Sequence, residues 1–341
     1  MKKTFLNWLV LVGLAFFISA CSKAPEVVSL SGSTMGTTYN IKVVPNDKLP
    51  QSPLLQAEID LALERVNDQM STYRPDSELS RFNQLPLEQG VEVSEATITV
   101  IREGMRLHDL TGGALDITLG PLVNIWGFGP DKRPTKSPTD AEIAEAKART
   151  GIQNISIEGK RLYKHNAHLY VDLSSIAKGY GVDVIADILE KYQPQGYLVE
   201  IGGELRIKGS KADGSPWRIA VEKPQTEGRS VSQVIEPGNM GMATSGDYRN
   251  YFEEDGKRFS HIIDPRTAFP IQHTLASVTV LHQSCMTADG LATAMMVLGT
   301  EASLELAKQH GLAIMLIEKQ GDEFVVHYSD TFLPFVKSTQ E

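Results

Sequence analysis

Apolar residues recur at helical spacing in some stretches of the chain and at every second position in others. Leu55, Ile59, Leu63, Val66 and Met70 form one helical stripe, since side chains three and four apart share a face. Ser52 as cap and Pro53 at the first position predict its start. Ser77 is expected to cap a short helix through Phe82. Ser94 is expected to cap another that carries Ile98, Ile101, Met105 and His108 and closes at Thr111-Gly112-Gly113. Thr139-Asp140-Ala141-Glu142 reads as a capping box for a helix running to Gly151. Tyr39, Ile41 and Val43 alternate as a half-buried strand does, within a segment from Val27 to Val44. Further strands are expected on either side of a Glu158-Gly159 turn, up to Asp172, about the Gly202-Gly203 pair in 197–209, and at 217–221. Three more are expected at 275–281, 313–317 and 323–327. The right half of the stretch from Ser284 to Gly299 reads as a buried helix closed by Gly299, followed by a Thr300-capped helix to Gly311.

The first 20 residues stand apart. Lys2 and Lys3 precede an apolar run from Phe5 to Phe17, broken only by Asn7 and Gly13, and Ile18-Ser19-Ala20-Cys21 follows. The run is short for a membrane span and ends in the small residues a signal peptidase accepts. A cysteine directly after Ser-Ala resembles a bacterial lipobox, in which Cys21 is acylated and opens the mature chain. An ordinary cleaved signal with a chance cysteine is the alternative. Ser22 is not the Asp that usually retains lipoproteins in the inner membrane, and the choice of inner or outer membrane stays open. With Cys21 acylated, Cys285 has no partner and no disulfide is expected.

Composition narrows the class further. With 33 bases against 42 acids the net charge is −9, and discounting Lys2 and Lys3 makes it more negative. A general nucleic-acid surface is disfavoured at that balance. No Gly-x-Gly-x-x-Gly opens a helix, which disfavours the usual dinucleotide fold, and the Gly-x-x-x-x-Gly-Lys spacing of a phosphate loop is absent. Hydrophobic content is 41% and charged content 22%, ordinary for a chain that buries a sizeable core.

Several residues carry candidate chemistry. Asp289 and Thr293 are four apart on one helix and can aim two oxygens at one spot, a donor pair that suits a hard cation such as Mg2+. Asp near a helix start and Thr in a helix are also common for structural reasons. Asp116 lies among apolar residues and needs a partner. Lys178, where a strand is expected to give way to a helix, is either a phosphate partner or an exposed helix charge. Tyr73 and Arg74 sit between helices, where Tyr73 either stacks on a flat ring or packs its edge on the body. Trp126 in Trp-Gly-Phe-Gly-Pro is either core or ligand packing. Gly32 and Gly36 bracket a loop whose backbone can approach a ligand. The stretch Met240 to Tyr251 reads as a loop rich in hydroxyls and glycine. His261 is expected on a short strand that ends at a Pro turn, and a lone His is more often structural than a base.

Five runs together resemble the FAD:protein FMN transferase (ApbE) family. They are Gly-Gly-Ala-Leu-Asp-Ile-Thr at 112–118, Asp-Leu-Ser-Ser-Ile-Ala-Lys-Gly at 172–179, and Ala-Thr-Ser-Gly-Asp-Tyr at 243–248. His-Ile-Ile-Asp-Pro-Arg-Thr at 261–267 and Thr-Ala-Asp-Gly-Leu-Ala-Thr-Ala at 287–294 complete the set. Each run is weak alone, and five in family order are specific. The resemblance implies one large α+β domain over 29–337, with mixed and antiparallel sheets flanked by helices, after a signal segment (1–20) and a lipidated tether (21–28). It implies Mg2+-dependent transfer of the FMN half of FAD to a Thr or Ser hydroxyl of another protein, with release of AMP. The implied acceptors are flavin subunits of membrane redox complexes such as the Na+-translocating NADH:quinone reductase and Rnf. The implied FAD site comprises Met35, Tyr73, Ala114, Leu115, Asp116, Asp172, Lys178 and Ile263. Ser175, Asp289 and Thr293 are implied at the metal.

Such a reaction needs positioning and charge neutralisation above all. His261 is the candidate base for the acceptor hydroxyl, in its neutral form, so activity is expected to fall below its pKa, ~6.5 if unperturbed. An FAD pyrophosphatase, with water replacing the acceptor, and a non-catalytic flavin-binding lipoprotein facing the periplasm are the competing functions.

Overall fold

The computed structural model describes residues 26–87, 89–130, 136–225, 230–247 and 250–337. The signal segment, Cys21 and most of the tether lie outside them. In chain order the elements are β1 (Val28–Thr34), β2 (Thr37–Val44), α1 (Ser52–Met70), α2 (Glu78–Gln84), β3 (Val91–Glu92) and α3 (Glu95–Leu110). Then come α4 (Gly120–Ile125), α5 (Asp140–Lys147), β4 (Ile155–Glu158), β5 (Arg161–Lys164), α6 (Ala177–Tyr192), β6 (Gly196–Ile201) and β7 (Glu204–Gly209). Next are β8 (Ile219–Glu222), β9 (Val231–Ile235), β10 (Gly241–Gly246), β11 (Tyr251–Glu254), β12 (Lys257–Ser260) and β13 (Leu275–His282). The chain closes with α7 (Cys285–Leu298), α8 (Thr300–His310), β14 (Ala313–Gln320), β15 (Glu323–Tyr328) and β16 (Val336–Lys337).

The central sheet has eight strands in the order β1-β2-β6-β7-β10-β13-β14-β15. Every named strand pairing among the described residues is antiparallel. Both faces of the sheet are covered, which period-2 alternation makes possible. On β13 and β14, Val278, Val280, Ile314 and Leu316 face the main helical core with α7. Leu281, Met315 and Ile317 face a second core beside β8, β9 and Phe332. β13 consequently reads as a near-continuous apolar run. Residues 45–195, which carry α1 to α6, are inserted between the neighbouring strands β2 and β6.

Several local expectations shift by physical causes. The 27–44 segment is a hairpin, not one strand with a loop. Met35 (φ 49) and Gly36 (φ 71) make its two-residue turn, with both residues left-handed as tight hairpins prefer. Gly32 serves packing: a Cβ there would come within 2.6 Å of the Tyr39 ring. Within the Met240–Tyr251 stretch Gly241–Gly246 is not a loop, because β10 lies inside the sheet and the hydroxyls of Thr244 and Thr279 bond across strands at 2.9 Å. No strand forms over 169–172. There the side chain of Asn83 takes a strand's place, accepting from Val171 N–H (2.8 Å) and donating to Val171 C=O (2.9 Å). The caps expected at Ser52 and Thr300 fall one residue earlier, on Gln51 and Gly299. α5 ends at Lys147, short of Gly151, behind its capping box. Trp126 is core: its indole N–H donates to Ala268 C=O at 3.0 Å and its ring stacks on Phe259.

α6 and α7 pack so closely that a Cβ on Gly179 would stand 2.4 Å from the Cys285 carbonyl oxygen and 2.8 Å from Asp289 Cβ. Gly179→Ala is therefore expected to cost about 1–3 kcal/mol, as overpacking does, read as a lower denaturation midpoint. An unchanged midpoint would mean that the helices tolerate separation.

Candidate active site

The site is built where α6 and α7 meet, and the two helices cap each other. The first N–H groups of a helix have no partner inside it. α6 has no capping side chain of its own; instead Gly179 N–H donates to Asp289 Oδ2 of α7 at 2.9 Å. In return Asp183 of α6 accepts from Cys285 N–H and Met286 N–H of α7, both at 3.0 Å. Asp183 also accepts from the Ser284 hydroxyl (2.7 Å) and from Arg206 (2.9 Å). Ser284 itself caps α7 by accepting from Thr287 N–H. The structural role of Asp289 is thus to cap the neighbouring helix, not its own.

That cap uses one carboxylate oxygen. The other, Oδ1, accepts no hydrogen bond among the described residues, and its nearest cation is Lys178 Nζ at 4.0 Å. Asp289 is 5% exposed, and burial raises its pKa against the lowering charge of Lys178. One turn on, Thr293 is half-buried. Its hydroxyl makes no bond among the described residues, unlike Thr99 and Thr111, which bond back to the carbonyl four residues earlier. A free carboxylate oxygen and a free hydroxyl one turn apart fit a hard cation. Among the described residues no group of three or more His, Cys, Asp or Glu gathers as a cation cage. A Mg2+ on Asp289 and Thr293, with Ser175 half-buried in the turn before α6, would complete its shell from water and phosphate oxygens, as Mg2+ commonly does.

Lys178 is neither an exposed helix charge nor a free cation. Its ammonium pairs with Glu204 Oε1 at 2.7 Å. Burial works to lower its pKa, but Asp289 and Glu204 outweigh that and hold it above its ordinary value. Glu204 is 3% exposed, and burial pushes its carboxyl up to about 7.

His261 follows β12 and is half-buried. Its Nδ1 lies 3.0 Å from the Asn250 carbonyl oxygen. A carbonyl only accepts, so the neutral ring carries its hydrogen on Nδ1 and leaves Nε2 bare. Burial first, and the Lys178 charge as well, lower its pKa. Phe128 meets the ring edge-on at 6.2 Å between centroids.

Of the remaining predicted residues, Met35 and Leu115 are tied to this junction by close approach. A Cβ on Gly181 of α6 would stand 2.8 Å from Met35 Cε, so the hairpin turn delivers Met35 to the α6 face. A Cβ on Gly290 would meet Leu107, Leu115 and Ile176, which ties the 114–116 loop to α7. Ala114 and Leu115 are buried, and Leu115 C=O lies 2.9 Å from His108 Nδ1. Asp116 is half-buried, and its partner is local: Oδ1 accepts from Thr118 N–H and hydroxyl. Asp172 is buried, accepts from Ser174 N–H at 2.8 Å, and is raised in pKa by that burial. Tyr73 is 68% exposed and does not pack on the body; shielding of its hydroxyl, then the Asp172 charge, raise its pKa. Ile263 bridges to Pro270 and packs beside Trp126 and Leu122 in a satellite core. Glu204 and Asp183 had no role assigned from the sequence. The one signal was an acid among buried apolar positions, at the head of β7 and in the middle of α6.

The ApbE family model matches residues 35–316, the greater part of the chain. The chain belongs to the ApbE family. It is 55% identical over 330 residues to an FAD:protein FMN transferase of Vibrio cholerae, covering 97% of this chain and 99% of that protein. It is 50% identical over 337 residues to the FAD:protein FMN transferase of Haemophilus influenzae, at 97% of each. Among solved ApbE structures, the flavin transferase of Vibrio cholerae superposes with a TM-score of 0.86 over 91% of this chain and 99% of that one. The Pseudomonas stutzeri flavinyl transferase in its apo form, 43% identical, gives 0.85 over 92% and 98%. The α+β architecture is therefore that of the ApbE family.

Proposed function

We propose that this chain is an FAD:protein FMN transferase that moves the FMN half of FAD to a Thr or Ser hydroxyl of an acceptor protein and releases AMP. The observation that carries the reading is the free Asp289 oxygen and free Thr293 hydroxyl one turn apart, beside Lys178, in an ApbE family chain.

In the reaction, the acceptor oxygen forms a bond to the phosphorus that bears the riboflavin. The bond from that phosphorus to the AMP phosphate breaks, and AMP leaves with the electron pair. Asp289 and Thr293 would hold a Mg2+, which would supply charge neutralisation for the diphosphate. The acceptor proton passes to His261 Nε2, whose lone pair is left free by the Asn250 contact. Met35, Tyr73, Asp116, Asp172 and the 114–115 and 263 segments hold the FAD. Flavin-carrying subunits of membrane redox complexes fit as acceptors, because the Cys21 run supports a lipid anchor that keeps the enzyme at a membrane surface facing the periplasm. No helix of the described residues is long and apolar enough to cross a membrane.

His261→Ala is expected to slow transfer by about 10²–10⁴-fold while FAD affinity changes little, measured by single-turnover AMP release and by flavin fluorescence titration. Equal loss in both would make His261 structural. Because its folded pKa is lowered, the wild-type acid limb should lie below the ~6.5 of an unperturbed imidazole. The same shift means His261 contributes stability above pH ~6.5 that is lost as pH falls through its folded value.

A further inference from the structure

Glu204 has no part in the reaction as described, yet it is the most buried charged group beside it. It opens β7 after the Gly202-Gly203 turn, paired in register with Ile201. Oε1 holds the Lys178 ammonium at 2.7 Å, and Oε2 is buried with no hydrogen-bond partner among the described residues. The same ammonium stands 4.0 Å from Asp289 Oδ1, outside bonding distance. One cation therefore lies between two carboxylates and bonds to only one.

Asp289 cannot adjust to it, because its other oxygen is tied to Gly179 N–H. Glu204 is fixed by the β6–β7 hairpin. Lys178, on a flexible four-carbon stem, is the member that can move. Freed from Glu204, its ammonium would close on Asp289 Oδ1 and compete there with any divalent cation.

We propose that Glu204 is a positioning residue that draws Lys178 away from Asp289 and so keeps the Asp289–Thr293 edge open to a divalent cation. The inference rests on reading that edge as the cation site. Lys178 in this arrangement is held in place by Glu204 and is not a mobile counter-ion of the diphosphate.

The test uses Mn2+, another cation of oxygen-rich octahedral sites, titrated into the FAD-free protein and followed by the loss of the free-ion electron paramagnetic resonance signal. Glu204→Gln is expected to weaken Mn2+ binding by about tenfold or more, the size of effect seen for supporting groups around metal ligands. Lys178→Met should not weaken it. Glu204→Gln in the Lys178→Met background should have little further effect, because nothing is left to hold back. Glu204→Asp, which keeps the charge but withdraws it by one methylene, should weaken binding when Lys178 is present. Wild-type affinity in Glu204→Gln overturns the proposal. So does an equal loss in both backgrounds, or an unaltered Glu204→Asp, since either result means that charge alone acts at a distance. If Asp289→Asn binds Mn2+ as tightly as wild type, the cation reading itself falls, and that outcome is distinct from the others.

Discussion

Asp289→Asn is expected to abolish divalent-dependent FMN transfer, with a loss greater than roughly 100-fold. Groups that merely support a metal ligand cost roughly 10–100-fold when removed, and a direct ligand costs more. The asparagine keeps an oxygen for Gly179 N–H, so α6 retains its cap, but it loses the negative charge that stands 4.0 Å from the Lys178 ammonium. Asp289→Ala removes both. It should lose activity to the same extent and in addition lose about 1–3 kcal/mol of stability, the cost of a buried N–H without a partner. Paired measurements of turnover and denaturation midpoint separate the two roles. Normal turnover in Asp289→Asn would remove Asp289 from the cation.

Asp183→Ala should give the largest loss of stability. Its carboxylate receives two α7 backbone N–H groups, the Ser284 hydroxyl and the Arg206 guanidinium. Removing it leaves all four donors without that acceptor. Breaking a buried charged pair on one side costs about 3–5 kcal/mol, a large part of the 5–15 kcal/mol that holds a typical domain. The expected readouts are an unfolding free energy lowered by that amount, with a lower midpoint, and faster labelling of the buried thiol of Cys285, found by peptide mapping, as the first turn of α7 frays. Unchanged labelling and midpoint would show that Ser284 alone suffices as the cap.

These two acids also mark how far the sequence is legible. The C-terminal half of α7 could be read in advance because its Ala, Met and Leu content and its closing Gly299 are local, whereas its first turn, capped by Ser284, was not read as helix. The Thr139–Glu142 capping box and the Asp289–Thr293 pair are local in the same way, four residues or fewer apart. Asp183 was not legible, because three of its donors lie about a hundred positions on, at the head of another helix, and the fourth, Arg206, is on a strand of the sheet. Glu204 was not legible either, because Lys178 meets it only once the β6–β7 hairpin has folded over α6. β10 escaped because its hydroxyls are satisfied across strands, a pairing that composition alone reads as loop chemistry. The extended stretch before Asp172 misled in the opposite sense. Its alternation is that of a strand, but an asparagine side chain takes the neighbour's place. The misplaced caps have a simple cause: Gln51 (ψ 143) and Gly299 (φ 81) hold the non-helical backbone that defines a cap, whatever hydroxyl follows.

The most direct measurement is a crystal of this chain soaked with FAD and Mn2+, with the metal located by its anomalous scattering. The account predicts one peak against Asp289 Oδ1 and Thr293 Oγ1, shared with an oxygen of the FAD diphosphate and separated from the Lys178 ammonium. A peak elsewhere, or a diphosphate bound away from the α6–α7 junction, would contradict it.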